Sequence, residues 1–168
     1  MEETQRTSLT ASMIELLQKT PLFNGMNETQ INQIASLGSI KEYAKDTIIL
    51  EEKMLNTIMR VILQGKVRVY LAKSVGNTTR DKELHLADLD TGSVFGEYSV
   101  IEHKPTTAAV SSIENCKILE IKGKSIESLN QNDPALGIIF YKNLLKISIE
   151  RIRNMNAKFE HTAILFTT

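Results

Sequence analysis

The sequence predicts a mostly β domain with flanking helices: a roll or barrel of short strands, with short helices before it and one long helix after it. Three observations carry this. Between residues 43 and 121, short apolar runs alternate with polar neighbours or are bounded by turn residues, as strands with one buried face do. Before residue 38 and after residue 132 the apolar spacing switches to three and four, the period of a helix. Strands this short and this closely spaced favour a roll or barrel over a parallel sheet with crossover helices.

The elements follow in order. Residues 1–11 are polar and read as a flexible N-terminus. From Ser12, Met13, Ile14, Leu16 and Leu17 mark a short helix that Pro21 stops. Asn27 and Gln30 have the spacing of an N-cap and its capping-box partner, and Ile31, Ile34 and Ala35 then share one helical face. Val61 and Leu63, then Val67, Val69 and Leu71, alternate around Gln64-Gly65 as two strands joined by a tight turn. Further strands are read at 43–50, 84–89, 108–113 and 117–121. Residues 73–83 form a polar, mobile hairpin loop.

Asn132, Asp133 and Pro134 signal the start of the last helix, a polar cap followed by proline at the first helical position. Ile138, Tyr141, Leu145, Ser148, Ile152, Met155 and Phe159 then recur at alternating spacings of three and four. This is a heptad seam, and it suggests a homodimer through that helix. The organisation is therefore 1–11 as flexible N-terminus, 12–131 as the roll with its N-terminal helices, and 132–162 as the dimerisation helix.

Composition narrows the function classes. Twenty basic and twenty acidic residues cancel, which leaves no global field to attract nucleic acid or an anionic membrane, and neither is an expected partner. No apolar run approaches the roughly 20 residues of a membrane helix. The start, Met-Glu-Glu-Thr-Gln-Arg, has no signal-peptide core behind it, and the single Cys116 cannot form an internal disulfide. A cytoplasmic location is expected. His85, His103 and His161 lack metal-ligand spacing, and no nucleophile elbow or phosphate loop is present, so no catalytic site, metal or cofactor is expected. Cys116 reads as a core residue, Glu51-Glu52 and Asp88 to Asp90 as solvated turns, and Arg151 and Arg153 as solvent-facing.

The segment that carries chemistry is Phe95-Gly96-Glu97-Tyr98-Ser99-Val100, followed by Pro105-Thr106-Thr107-Ala108-Ala109-Val110. Gly96 lets backbone approach a ligand. Amides after it can face a phosphate, and Glu97 can accept from a ribose hydroxyl. Phe-Gly-Glu with Ser99 and Val100, then Pro105, Ala108 and Val110 at their distances, resembles the phosphate-binding cassette of the cyclic nucleotide-binding domain family. Pro21-Leu22-Phe23 is similar to that family's opening helix-turn, Ile62-Leu63-Gln64-Gly65-Lys66-Val67 to its strand-turn-strand, and the final helix to the dimerising helix of its catabolite-activator members.

The resemblance implies a β-roll of the double-stranded β-helix or jelly-roll type, and a non-catalytic regulatory domain whose ligand is cAMP or cGMP. It places Glu97 on the ribose hydroxyl, the amides of Gly96 and Ser99 toward the ligand, and Thr106 and Thr107 against the phosphate, within a cassette of Phe95 to Ser99 and Pro105 to Ala108. Departures from the pattern point to a degenerate cassette. Thr106 stands where the family has the arginine that pairs with the phosphate, and Tyr98 replaces a small or aliphatic residue. Asp46 and Lys53 stand where turn glycines are usual. Lys104 and His103 are the nearest cations in sequence. Two alternatives accompany this reading: a ligand-independent dimerisation or scaffold module, and the effector fragment of a transcription regulator without its DNA-binding part. No helix-turn-helix fits between the long helix and Thr168, so direct DNA binding is not expected.

Overall fold

The strand Ile58–Gln64 (β3) sets the layering, because its alternate residues are buried on opposite faces. Met59, Val61 and Leu63 pack toward the helices, while Ile62 packs toward a second sheet. In the computed structural model, which describes residues 10–166 and side chains to residue 160, β3 lies inside a four-stranded antiparallel sheet. It shares that sheet with β1 (Gly38–Tyr43), β8 (Val94–Phe95) and β10 (Cys116–Lys122), in the order β1-β10-β3-β8. A second antiparallel sheet joins β2 (Ile48–Leu50), β9 (Ala109–Ser112), β4 (Val67–Leu71) and β7 (Leu84–Leu89), in that order. Ile62, Val67, Phe95, Val110, Cys116 and Ile118 fill the space between the sheets. This is the predicted β-roll with its flanking helices.

The helices cover the outer face of the first sheet. Thr10 caps α1 (Ala11–Lys19), its hydroxyl accepting from the Met13 amide. Pro21–Phe23 makes one 3₁₀ turn, and α2 (Glu28–Ala35) opens on the full capping box, Asn27 and Gln30 each accepting from the other's amide. Leu17, Leu22, Phe23, Ile31 and Ile34 meet Leu119 and Ile121 beneath them. Fully burying such a side chain stabilises by about 1.5–3 kcal/mol. Most of the expected flexible N-terminus, residues 1–9, lies outside the described residues.

Four expectations need correction. The stretch 43–50 is not one strand: β1 ends at Tyr43, and a turn with Asp46 at φ 62° precedes β2. Ser112 Oγ fixes that turn by donating to the Ala44 carbonyl and accepting from the Thr47 amide. Residues 117–122 run directly into an unforeseen helix, α4 (Gly123–Asn132), whose Lys122 N-cap has no capping oxygen to announce it. The loop 73–83 is not merely solvated. It contains the two-residue strands β5 (Ser74–Val75) and β6 (Thr78–Thr79), and Arg80 reaches from it to Glu52. Glu52 is correspondingly buried rather than solvated, accepting from Arg80 and from the Ala72 amide.

The last helix, α5 (Pro134–Phe166), begins where the sequence signals it, with Asp133 Oδ1 accepting from the Leu136 amide. Leu136, Phe140 and Leu144 seat it on the helical side of the core. Asn143 ties it to the 3₁₀ turn by donating to the carbonyls of Leu22 and Asn24. The seam divides. Ile138, Leu145, Ile152 and Phe159 are each more than half exposed, whereas Tyr141 and Ser148 are half-buried against the body. Among the described residues no helix is long and apolar enough to cross a membrane.

Candidate functional site

Phe95 closes β8 with its ring inside the roll, and the chain then turns at Gly96 with φ 78°. A Cβ at Gly96 would stand 2.8 Å from the Ile58 carbonyl oxygen and 3.1 Å from Asn56 Nδ2. Both the left-handed backbone and the close approach therefore require glycine. Asn56 fastens the turn, its Nδ2 donating to the carbonyls of Gly96 and Ile58, each at 2.8 Å.

Glu97 opens the short helix α3 (Glu97–Glu102) and is almost wholly buried. Its partner is Arg151 of α5, which donates to Glu97 Oε1 and to the Val94 carbonyl. This corrects the expectation that Arg151 faces solvent; Arg153 is exposed as expected. Burial pushes the Glu97 carboxyl up, and the Arg151 guanidinium opposes that rise. A cavity between α3, α4 and α5 borders Glu97, with Val100, Ile126, Phe140, Tyr141 and Leu144 among its walls. The carboxylate thus faces the last helix.

The rest of the predicted cassette is divided. Ser99 is buried and Tyr98 half exposed, while Pro105 and Thr107 are exposed and Ala108 is half-buried. Thr106 is buried, and its hydroxyl serves the fold: it donates to the Glu51 carbonyl and accepts from the Met54 amide. Main-chain bonds Thr106 N–H to Met54 O and Lys53 N–H to Thr106 O, both 2.9 Å, complete a clamp on the loop before β3. Lys53 holds its place in that loop at φ 61°. Lys104 pairs with Glu102 and the His103 ring faces Glu127, both side chains on the surface.

Sequence reasoning missed a polar cluster on the inward face of the first sheet. Arg60 of β3 sits opposite Glu120 of β10 and Phe95 of β8 in the strand registers. Its Nε donates to Glu120 Oε1 at 2.8 Å, and its Nη1 to Asn56 Oδ1 at 3.0 Å and to the Ile58 carbonyl at 3.2 Å. The guanidinium carbon lies 5.9 Å from the Phe95 ring centroid. Tyr43 also donates to Glu120 Oε1, at 2.6 Å, and burial together with that bond pushes its hydroxyl up to about 12. One signal was available: Arg60 is two residues from Ile62, so in a strand the two share a face.

The fold has counterparts among known proteins. The model of the family described as "Cyclic nucleotide-binding domain" matches residues 40–133. A cGMP-dependent protein kinase of Plasmodium berghei is 27% identical over 134 residues, covering 78% of this chain and 14% of the kinase; the chain spans only that small part of its length. Among solved structures, a cyclic nucleotide-binding domain from Methylobacillus flagellatus superimposes with TM-score 0.75 at 22% identity, over 94% of this chain and 83% of that one. The Thermus thermophilus catabolite activator protein gives TM-score 0.71 at 21% identity, over 86% of this chain and 63% of that one.

Proposed function

We propose, from the premise that this chain belongs to the cyclic nucleotide-binding domain family, that it is a non-catalytic sensor in which cAMP or cGMP and the last helix compete for one carboxylate. The observation that carries this reading is the buried pair Glu97–Arg151, which joins the cassette to α5. The ligand docks against the cassette at the turn of residues 96–99. Glu97 then turns from Arg151 to the ribose hydroxyl, with the Gly96 and Ser99 amides beside it and Pro105 to Ala108 as the outer wall. Arg151 is freed, and α5 shifts on its Leu136, Phe140 and Leu144 face. A ligand can drive such a shift only by as much as it prefers one helix position over the other.

The output is carried by a homodimer in the cytoplasm, formed through the exposed seam of Ile138, Leu145, Ile152 and Phe159. An identical spacing of seven suits a partner helix running alongside. Similarity to a kinase named for its dependence on cGMP and to a catabolite activator protein supports a regulatory role.

A second reading, a ligand-independent dimerisation module, is supported by Thr106, whose hydroxyl is spent on the main chain of residues 51 and 54. Titration calorimetry with both cyclic nucleotides separates the two. Saturable heat supports the sensor, and no heat at high micromolar ligand selects the scaffold.

A further inference from the structure

Residues 51–54, in the loop before β3, are bonded on two sides. On one side is the β5–β6 hairpin. Glu52 is 4% exposed, and a buried carboxylate is costly unless a well-placed cation offsets its desolvation. Arg80 is that cation. Its Nη2 donates to Glu52 Oε1 at 2.7 Å and its Nη1 to Oε2 at 3.1 Å, a two-pronged contact that fixes orientation as well as distance. The base of the hairpin holds both partners. The Ala72 amide donates to Glu52 Oε2 at 2.9 Å, Arg80 Nη1 donates to the Ala72 carbonyl, and the Arg80 amide donates to the Lys73 carbonyl at 2.7 Å. Lys53 Nζ adds a bond to Thr78 Oγ1.

On the other side is Thr106. Its hydroxyl donates to the Glu51 carbonyl and accepts from the Met54 amide. Its own amide donates to the Met54 carbonyl, and its carbonyl accepts from the Lys53 amide. Lys53 is therefore bonded to the hairpin and to the cassette, and it stands between them at φ 61°. That conformation is disfavoured for a residue with a Cβ and persists only where the surroundings over-determine it. A glycine would adopt it unaided. Here the bonds on both sides enforce it.

We infer that Arg80 is a positioning residue for nucleotide binding. Acting through Glu52, it holds the joint at Lys53, and the joint sets where Thr106, and with it the outer wall of the cassette, stands against the cyclic phosphate. The inference rests on the proposed binding of a cyclic nucleotide. It makes the β5–β6 hairpin a place from which affinity is tuned without contact to the ligand.

The test is calorimetric titration of cAMP and cGMP in a double-mutant cycle. Arg80→Met with Glu52→Gln removes the ion pair and leaves no unpaired buried charge. It is expected to weaken cyclic nucleotide binding by about three- to thirtyfold, with the circular dichroism spectrum unchanged. In the Lys53→Gly background, where the joint needs no outside bonds, the same two substitutions should cost less than about twofold. A merely structural role would give the same loss in both backgrounds, and that result overturns the inference. So does a pair-deleted chain that binds as tightly as the native one; either outcome leaves the sensor reading standing. If the pair-deleted chain loses its spectrum, Arg80→Lys, which keeps the charge and loses the fork, takes its place in the same cycle, and native affinity there overturns the inference. No heat from the native chain with either cyclic nucleotide defeats the sensor reading itself, and the inference with it.

Discussion

Arg151 and Glu97 stand 54 residues apart in the chain and meet in one buried ion pair, the arginine also donating to the Val94 carbonyl. Glu97 exposes 2% of its side chain and Arg151 29%, so the carboxylate is the desolvated partner. A buried carboxylate without its cation is costly, and any ligand that takes Glu97 must offer hydrogen bonds in return. Under the proposed competition, this exclusivity turns the contact into a switch.

The pair gives stability a distinctive pH dependence. Burial raises the Glu97 carboxyl above its unfolded value, so in that window the folded chain holds a proton that the unfolded chain has lost. The stability this group contributes is present below the unfolded value and is lost as pH rises through the folded one. Urea midpoints of the native chain and Glu97→Gln, compared from acid to neutral pH, should show the native chain losing ground relative to the variant as pH rises. A native advantage that grows with pH contradicts the assignment. Glu52 has the opposite sign: the Arg80 bond holds its carboxyl below the ordinary range, and its contribution is lost as pH falls.

Gly96 allows a sharper test. The left-handed conformation costs an L-residue about 1–2 kcal/mol, and here the new Cβ also meets the Ile58 carbonyl oxygen at 2.8 Å. Gly96→Ala should lower stability by about 2 kcal/mol or more in chemical denaturation. A loss under about 0.5 kcal/mol, the range of an ordinary surface change, means that the turn is not constrained as described.

Lys53 occupies the left-handed region without being glycine. Lys53→Gly should therefore stabilise by about 0.5–1 kcal/mol, the relief of backbone strain exceeding the added chain entropy. A lower melting temperature in the variant contradicts this.

The exposed seam predicts the assembly state. Ile152→Asp places a charge on each copy where two helices would pack. Sedimentation should show a dimer for the native chain and a monomer for the variant, with the circular dichroism unchanged. A native monomer at high micromolar concentration removes the dimer from the account.

The sequence made legible whatever is local. The Asn27–Gln30 capping box, the Asp133-Pro134 helix start and the Gln64-Gly65 turn each need only a few neighbouring residues, and all are present. α4 was not legible, because its N-cap is a lysine and only Ile126, Leu129 and Gly123 are buried along it. The break between β1 and β2 left no trace in the apolar pattern, because its left-handed residue is Asp46 and not glycine; only the resemblance marked that position as a turn. In the candidate site, Phe95, Gly96 and Glu97 were legible as a motif, but their partners were not. Arg151 comes from a distant helix, and Thr106 and Glu52 are buried by contacts with the main chain of remote loops. Such pairings belong to the tertiary fold and leave no periodic trace.

The affinity of Arg151→Ala for cAMP and cGMP, measured beside the native chain, tests the competition most directly. If Arg151 and the ribose are alternatives for Glu97, removing the arginine should tighten binding by about tenfold, since one charge-assisted bond no longer has to be broken. Equal or weaker affinity in the variant means that ligand and helix do not contend for that carboxylate, and the switch is not built this way.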